Sequence, residues 1–368
     1  MKPTNIIFFL IVVTSVYFGL HYYLYTSLTK DLQLGIGIRR MIIIMLFLGG
    51  LLYYAGQILE RMYGLHGFSY AGSIWLGFIS IGFFIFILKD VSLFFPVPRH
   101  TAAYGALLLT LLLGGFSLYH AAKPPNLVEH QISVRNFPKG QSGFTILQLS
   151  DIHLDGYKSE AWLSGIVEQV NQQHPDLIVM TGDIVDAGYE RVDRFLPILQ
   201  QLDSTHGVYA VSGNHEFYAG IEDFYRLMEQ ADIRVLKNER MPVGDILELV
   251  GIHDDTSKRF GIEAADLENL LKDTHPEKSI VLLSHKPVDF EKAAALGVDL
   301  QLSGHTHGGQ IPPMNLLVKL AYQYAHGLYQ KDESYIYTSS GTGFWGPPMR
   351  LFTSPEVVKL TLVGKASD

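Results

Sequence analysis

The first 120 residues limit the architecture before any chemistry is considered. Four apolar runs, at about 6–25, 41–59, 71–88 and 102–119, follow one another with short polar joints between them. Each has 18 to 20 residues and none contains a charged one. At about 1.5 Å of rise per residue, such a run makes a helix as long as the roughly 30 Å hydrocarbon core of a bilayer. Four such runs cannot all be buried inside a water-soluble core of this size. Tyr22, Tyr23, Tyr53, Tyr54, Tyr70, Trp75, Tyr104 and Tyr119 lie near the ends of the runs, as interfacial aromatic belts do. Residues 1–122 are therefore expected to be a membrane domain of four transmembrane helices. The first run follows Lys2 like a signal peptide, but it is long and has no small-x-small cleavage site, so it is expected to stay as an anchor. With no ionisable group read inside a run, the unit is expected to anchor the chain or face lipid rather than carry ions or protons.

Charge divides the chain at the same place. Residues 1–120 hold seven basic and three acidic residues, which leaves 21 basic and 33 acidic for the remainder. So acidic a second half gives no basic footprint for a polynucleotide, and nucleic acid is not an expected partner. An even number of spans puts both chain ends on one side. The joints after spans one and three carry Lys30, Arg39, Arg40, Lys89 and Arg99, against Lys2, Arg61 and Lys123 close to the membrane on the other side, with Arg135 and Lys139 further out. The positive-inside rule then places the large C-terminal domain outside the cytoplasm. The chain has no cysteine, so thiolate ligands, thiol nucleophiles and disulfides are excluded. Residues 123–142, with Lys123-Pro124-Pro125 and Pro138-Lys139-Gly140, read as a linker, and 143–368 as the catalytic domain.

From residue 143 short β-rich runs alternate with helical ones, the second near 159–173 and 190–202. The run FTILQLS (144–150) ends at Asp151-Ile152-His153, and LIVMT (177–181) ends at Gly182-Asp183. GVYAVS (207–212) ends at Gly213-Asn214-His215-Glu216 and SIVLL (279–283) at Ser284-His285. VDLQL (298–302) leads into Gly304-His305-Thr306-His307. In open α/β sheets the loops at the carboxyl ends of strands converge on one crevice, where ligand sites form. Five strand ends rich in Asp, His and Asn therefore predict a shared metal site of nitrogen and oxygen donors, suited to Mn, Fe, Zn or Co.

Together Asp151-Ile152-His153, Gly182-Asp183-Ile184-Val185-Asp186, Gly213-Asn214-His215-Glu216, Ser284-His285 and Gly304-His305-Thr306-His307 resemble the calcineurin-like metallophosphoesterase superfamily over about 143–363. GHTHGGQ (304–310) and GTGFWGPPMRLFTSPEV (341–357) are similar to its membrane-associated YaeI/YkuE-like branch. The resemblance implies an α/β fold, a four-layer α/β/β/α sandwich preceded by the four-helix transmembrane unit. It also implies two divalent metal ions (Mn, Fe or Zn): Asp151, His153 and His307 would hold one, Asn214, His285 and His305 the other, and Asp183 would bridge them. His215 and Asp186 would be the catalytic pair, the histidine beside the phosphate and the carboxylate orienting it. The expected reaction is hydrolysis of a phosphodiester or pyrophosphate by a metal-bridging hydroxide, on a phosphate ester linked to lipid. The alternatives are a phosphomonoesterase, or a membrane sensor or scaffold whose phosphoesterase-like domain does not turn over.

Three features depart from the family pattern or compete with it. Phosphoprotein phosphatases follow the Gly-Asp-x-x-Asp motif with an arginine, whereas Ala187 and Gly188 stand here, which leaves Arg350 as a candidate phosphate contact or else a surface or structural arginine. His253, followed by Asp254 and Asp255, is expected to support the site or the fold rather than bind metal, and Glu216 to cap a helix or orient its loop. The apolar segment 311–325 reads as a loop packed on the domain, or as a hydrophobic lip beside the active site that admits an acyl chain or touches the bilayer.

Overall fold

The computed structural model describes residues 3–137, 143–272, 274–275 and 277–365. It divides into two compact units.

The first unit is helical: α1 (Pro3–Asp31), α2 (Ile36–Tyr63), α3 (His66–Ser92) and α4 (Arg99–Ala121). Among the described residues three of these, α2, α3 and α4, are long and apolar enough to cross a membrane, rather than the expected four. The run 6–25 lies inside α1, a helix of 29 residues. Gly64 ends α2 in the left-handed conformation, and its N–H and that of Leu65 close back on Glu60 and Leu59. Small residues let α2 and α3 approach: a Cβ at Gly72 would lie 2.6 Å from the Tyr53 Cα, and one at Gly56 2.7 Å from the Ser69 Cα. At one end Lys89 is buried in ion pairs with Asp31 and Asp90. One ionisable group does lie inside a run, contrary to expectation. His21 is buried, with Nδ1 donating to the Tyr17 carbonyl (2.8 Å) and Nε2 accepting from the Trp75 indole (2.9 Å).

Two later stretches, Ile311–Met314 and Gly346–Phe352, belong to this helical unit, which the sequence does not announce. Ile311, Met349 and Leu351 share an apolar cluster with Ile79, Ile85 and Phe86 of α3. Ser80 Oγ donates to the Pro312 carbonyl (2.7 Å) and the Arg350 N–H to the Ser117 carbonyl (3.0 Å).

The second unit holds two six-stranded mixed sheets. The strands in chain order are β1 (Asn126–Val134), β2 (Phe144–Leu149), β3 (Leu177–Met180), β4 (Val208–Ala210), β5 (Ile233–Val235), β6 (Glu239–Val243), β7 (Leu247–Gly251), β8 (Ser279–Leu283), β9 (Leu300–Ser303), β10 (Gly327–Lys331), β11 (Ser334–Thr338) and β12 (Glu356–Gly364). The orders are β1-β12-β2-β3-β4-β5 and β10-β11-β9-β8-β7-β6. Side chains alternate along a strand, so each strand feeds two cores. Phe144, Ile146, Leu177 and Val179 meet Leu249, Val281, Leu283 and Leu302 between the sheets. Leu147, Leu149, Ile178 and Met180 face Leu163, Ile166 and Val170 of the outer helix α5 (Glu160–Asn171). Val250, Ile280 and Leu282 face the helices of the far side through Leu267 and Ala293. These are the four layers of the expected sandwich.

The stretch 123–142 is not only a linker. Its residues 126–134 form β1, paired in parallel with β12, and Ile132 and Val134 are fully buried between the sheets. Pro138, Lys139 and Gly140 of that stretch lie outside the described residues. The single helix expected near 190–202 is two four-residue turns of helix separated by a 3₁₀ segment.

Candidate metal centre

Parallel strands side by side point their carboxyl ends the same way, so the residues that follow β2, β3, β4, β8 and β9 meet at one end of the two sheets. Two groups of metal-ligand type assemble there, Asp151 with His153 and His307, and Asp183 with His285 and His305, each with its donor atoms within 4.8 Å of one another. His153 Nε2 and His307 Nε2 are 3.1 Å apart, and so are His305 Nδ1 and His285 Nε2. His285 Nε2 also lies 3.1 Å from Asp183 Oδ2. A third group, His153, Asp186 and His215, shares His153 with the first.

The loops reach this geometry through backbone that most residues avoid. Asp151, His153, Asp183, His305 and His307 all have φ between 50° and 69°. For non-glycine residues this costs on the order of 1–3 kcal/mol each, so the surrounding structure must hold them there. Part of that hold comes from Glu216. Fully buried, its carboxylate accepts from the backbone N–H groups of Gly213 (2.6 Å), Asp183 (3.0 Å), Ile184 (2.6 Å) and Val185 (3.0 Å). It ties the β3 and β4 loops together, the loop-orienting role that was one of the two expected of it. Two glycines are needed for the approach: a Cβ at Gly182 would sit 2.6 Å from the Gly213 nitrogen, and one at Gly304 would overlap Asp151 Oδ2. Lys158, buried, donates to the His153 carbonyl (2.6 Å).

The donor set fits divalent cations. His285 Nδ1 donates to the Thr181 carbonyl (2.8 Å), which fixes its tautomer and leaves Nε2 as a lone-pair donor. His153 is held in the same way, Nδ1 against Asp186 Oδ1 (2.7 Å). The Asn214 carbonyl oxygen is buried with no hydrogen-bond partner, costly unless a cation takes it. Among these groups Asp151 and Asp183 bring carboxylates into a buried site with no Lys or Arg paired to them.

His215 and Asp186 stand beside the centre. One oxygen of Asp186, Oδ1, takes both His215 Nδ1 (2.9 Å) and His153 Nδ1 (2.7 Å). Burial works against the Asp186 carboxylate, but the two imidazoles outweigh it and hold its pKa below the usual range. Burial likewise opposes charge on His215, and Asp186, Asp183 and Glu216 together raise it to about 9. The His215 ring faces two exposed aromatics, Trp345 (centroids 5.8 Å apart) and Tyr218 (6.0 Å). Gln310 grips the Trp345 backbone from both sides, Nε2 to its carbonyl (3.0 Å) and Oε1 from its N–H (3.1 Å).

Eight of the nine residues expected as ligands or as the catalytic pair fall in these groups, and Asn214 directly precedes His215. The links made by Glu216, Gln310 and Lys158, and the second bond of Asp186, had no signal beyond the motifs that contain or flank them. Arg350 is fully buried and belongs to the helical unit. His253 is a buried structural histidine, paired with Ser212 Oγ (2.7 Å) and near Tyr225 OH (3.4 Å). Burial and then Lys237 depress its pKa to about 4.

The sequence profile of the family described as calcineurin-like phosphoesterase matches residues 144–309. An uncharacterized metallophosphoesterase of Helicobacter pylori is 38% identical over 258 residues, 69% of each chain. YkuE of Bacillus subtilis, also named an uncharacterized metallophosphoesterase, is 32% identical over 70% of this chain and 94% of its own. A Danio rerio transmembrane protein with a metallophosphoesterase domain is 33% identical over 70% of this chain and 62% of its own.

Proposed function

Since the chain belongs to the calcineurin-like metallophosphoesterase family and is thereby a metal-dependent phosphoric ester hydrolase, we propose a dinuclear centre that cleaves phosphodiester or pyrophosphate bonds. Asp151, His153 and His307 would hold one divalent metal, Asn214, His285 and His305 the second, and Asp183 would bridge them. The carrying observation is the pair of donor groups, each within 4.8 Å, beside the unpartnered Asn214 oxygen. A bound metal pair supplies an activated water at neutral pH and neutralises charge on the phosphate oxygens. Mn, Fe and Zn all suit these nitrogen and oxygen donors.

The chain's own groups do the remaining work. His215, bonded through Nδ1 to Asp186, turns Nε2 towards Asp183, where it can donate to the leaving oxygen. Asp186 also turns His153 so that Nε2 faces inward. Trp345 and Tyr218 wall the His215 side, where a leaving group would sit and water would be displaced. The buried carboxylates favour a diester's single charge over a monoester's two, and Ala187 and Gly188 follow Asp186 where phosphoprotein phosphatases carry an arginine. A lipid-linked ester is the substrate class that a membrane-anchored phosphoesterase suits, and the loop charges favour an extracytoplasmic catalytic domain.

The test uses the full chain in detergent with Mn, assayed on bis- and mono-p-nitrophenyl phosphate. Removing the helices would strip the apolar partners from Ile311, Met349 and Leu351. The diester should turn over faster than the monoester, and Asp183→Ala should abolish both. An inactive wild type, or a fully active Asp183→Ala, would overturn the reading.

A further inference from the structure

The helix that follows the metal-ligand loop, α6 (Met314–Ala321), has its polarity reversed for a water-facing helix. Leu316, Leu317 and Leu320 are 54%, 49% and 85% exposed, and Met314 is exposed beside them. Their spacing puts them on one side of the helix. Asn315 is instead buried, its Nδ2 donating to the Gly308 carbonyl (2.9 Å), one residue after the ligand His307. Water gains by releasing apolar surface, so three leucines left exposed on one short helix are an unmet driving force for burial.

The chain just before the helix indicates what covers that face. Pro312, two residues ahead of Met314, accepts a hydrogen bond from Ser80 Oγ (2.7 Å). Ser80 lies near the middle of α3 (His66–Ser92), one of the helices long and apolar enough to span a bilayer. At about 1.5 Å per residue it is roughly 20 Å from either end of that helix. Two extended residues reach at most about 7 Å, and the six residues from Met314 to Leu320 rise about 9 Å along a helix. Leu320 therefore cannot be much more than about 20 Å from the middle of a spanning helix. Half of the roughly 30 Å hydrocarbon core is about 15 Å. With α3 as a span, this reach allows Leu316 and Leu317, at the start of α6, to lie at about the boundary of the hydrocarbon core, and Lys319 beside them has the long stem with which lysine reaches a headgroup.

We propose that the Leu316–Leu317–Leu320 face of α6 is a lipid-contacting surface, seated in the bilayer's hydrocarbon boundary. Asn315 then ties a lipid-borne helix to the loop that carries His305 and His307. The occupant is bilayer lipid, and a protein partner or a second copy of the chain would be a different outcome of the test.

Because the chain contains no cysteine, single cysteines can be introduced cleanly. Full-length Leu316→Cys, Leu317→Cys and Leu320→Cys, with exposed Lys292→Cys as the reference, would carry an environment-sensitive fluorophore in nanodiscs. Blue-shifted emission and several-fold stronger quenching by acyl-chain nitroxide lipids at 316, 317 and 320 than at 292 is the expected result. Emission and quenching equal to those at 292 would overturn the proposal. So would blue-shifted emission without lipid quenching, which would mean that protein covers the face. Each labelled variant is first checked for wild-type thermal unfolding, and 316 and 320 are read separately in case one disturbs the helix. Fluorescence needs no turnover, so failure of the hydrolase reading would leave this result standing.

Discussion

Asp186 and His215 are separable by experiment although they are bonded to each other. Asp186 touches both a proposed ligand, His153, and the proposed proton donor, His215. Asp186→Ala should therefore lower kcat about 100- to 10,000-fold, the range of general acid catalysis, and also weaken metal binding about 10- to 100-fold. His215→Ala should show the kcat loss with metal content unchanged. Metal analysis beside single-turnover rates checks both. Glu216 makes a different prediction. Glu216→Ala removes the acceptor from four buried backbone N–H groups. With each such group costing about 1–3 kcal/mol, thermal unfolding should fall sharply even in the absence of metal. His253 sets an acid limit. Its folded pKa is depressed to about 4 from 6.5, so between those values the unfolded chain binds the extra proton. Its contribution to stability is whole above about pH 6.5 and is lost as pH falls towards 4. In chelator, wild type should lose stability through that window more steeply than His253→Asn.

At the scale of elements, β1 makes the joint between the halves structural. Ile132 and Val134 insert between the sheets while the strand zips along β12 from Asn126 to Val134. Ile132→Ala should cost about 2–5 kcal/mol, read by denaturant unfolding of the full chain, which a mere linker residue would not. In α2 and α3 the close approach at Gly56 and Gly72 is similarly local. Packing between helices in lipid relies on such small residues, because lipid gives helices no hydrophobic reason to associate.

For the whole molecule the loop charges predict sidedness. Lys292 is exposed on the catalytic unit, and a lone cysteine there in this cysteine-free chain should react with a membrane-impermeant maleimide in intact cells if the domain is extracytoplasmic. Labelling only after lysis would reverse the topology.

The sequence by itself determined the apolar helices, the strand-turn units and the residues that meet at their ends. These depend on local patterns: hydrophobic run length, period-two alternation, and Gly-Asp or Gly-His steps directly after a strand. The wider sandwich was legible only through resemblance, since the edge strands β5, β6 and β10 carry little pattern of their own. Tertiary structure alone decided what depends on contacts distant in sequence. It made 126–134 a strand through its pairing with residues more than 200 positions away, because a lone edge run has no signature until its partner is known. It placed Ile311–Met314 and Gly346–Phe352 with the helices, because short apolar loops look alike whichever core receives them. It gave Asp186 its second histidine and Glu216 its four amides, because a carboxylate's partners are chosen by loop geometry. Residue types named the chemistry, and three-dimensional packing fixed the groups that hold it in place.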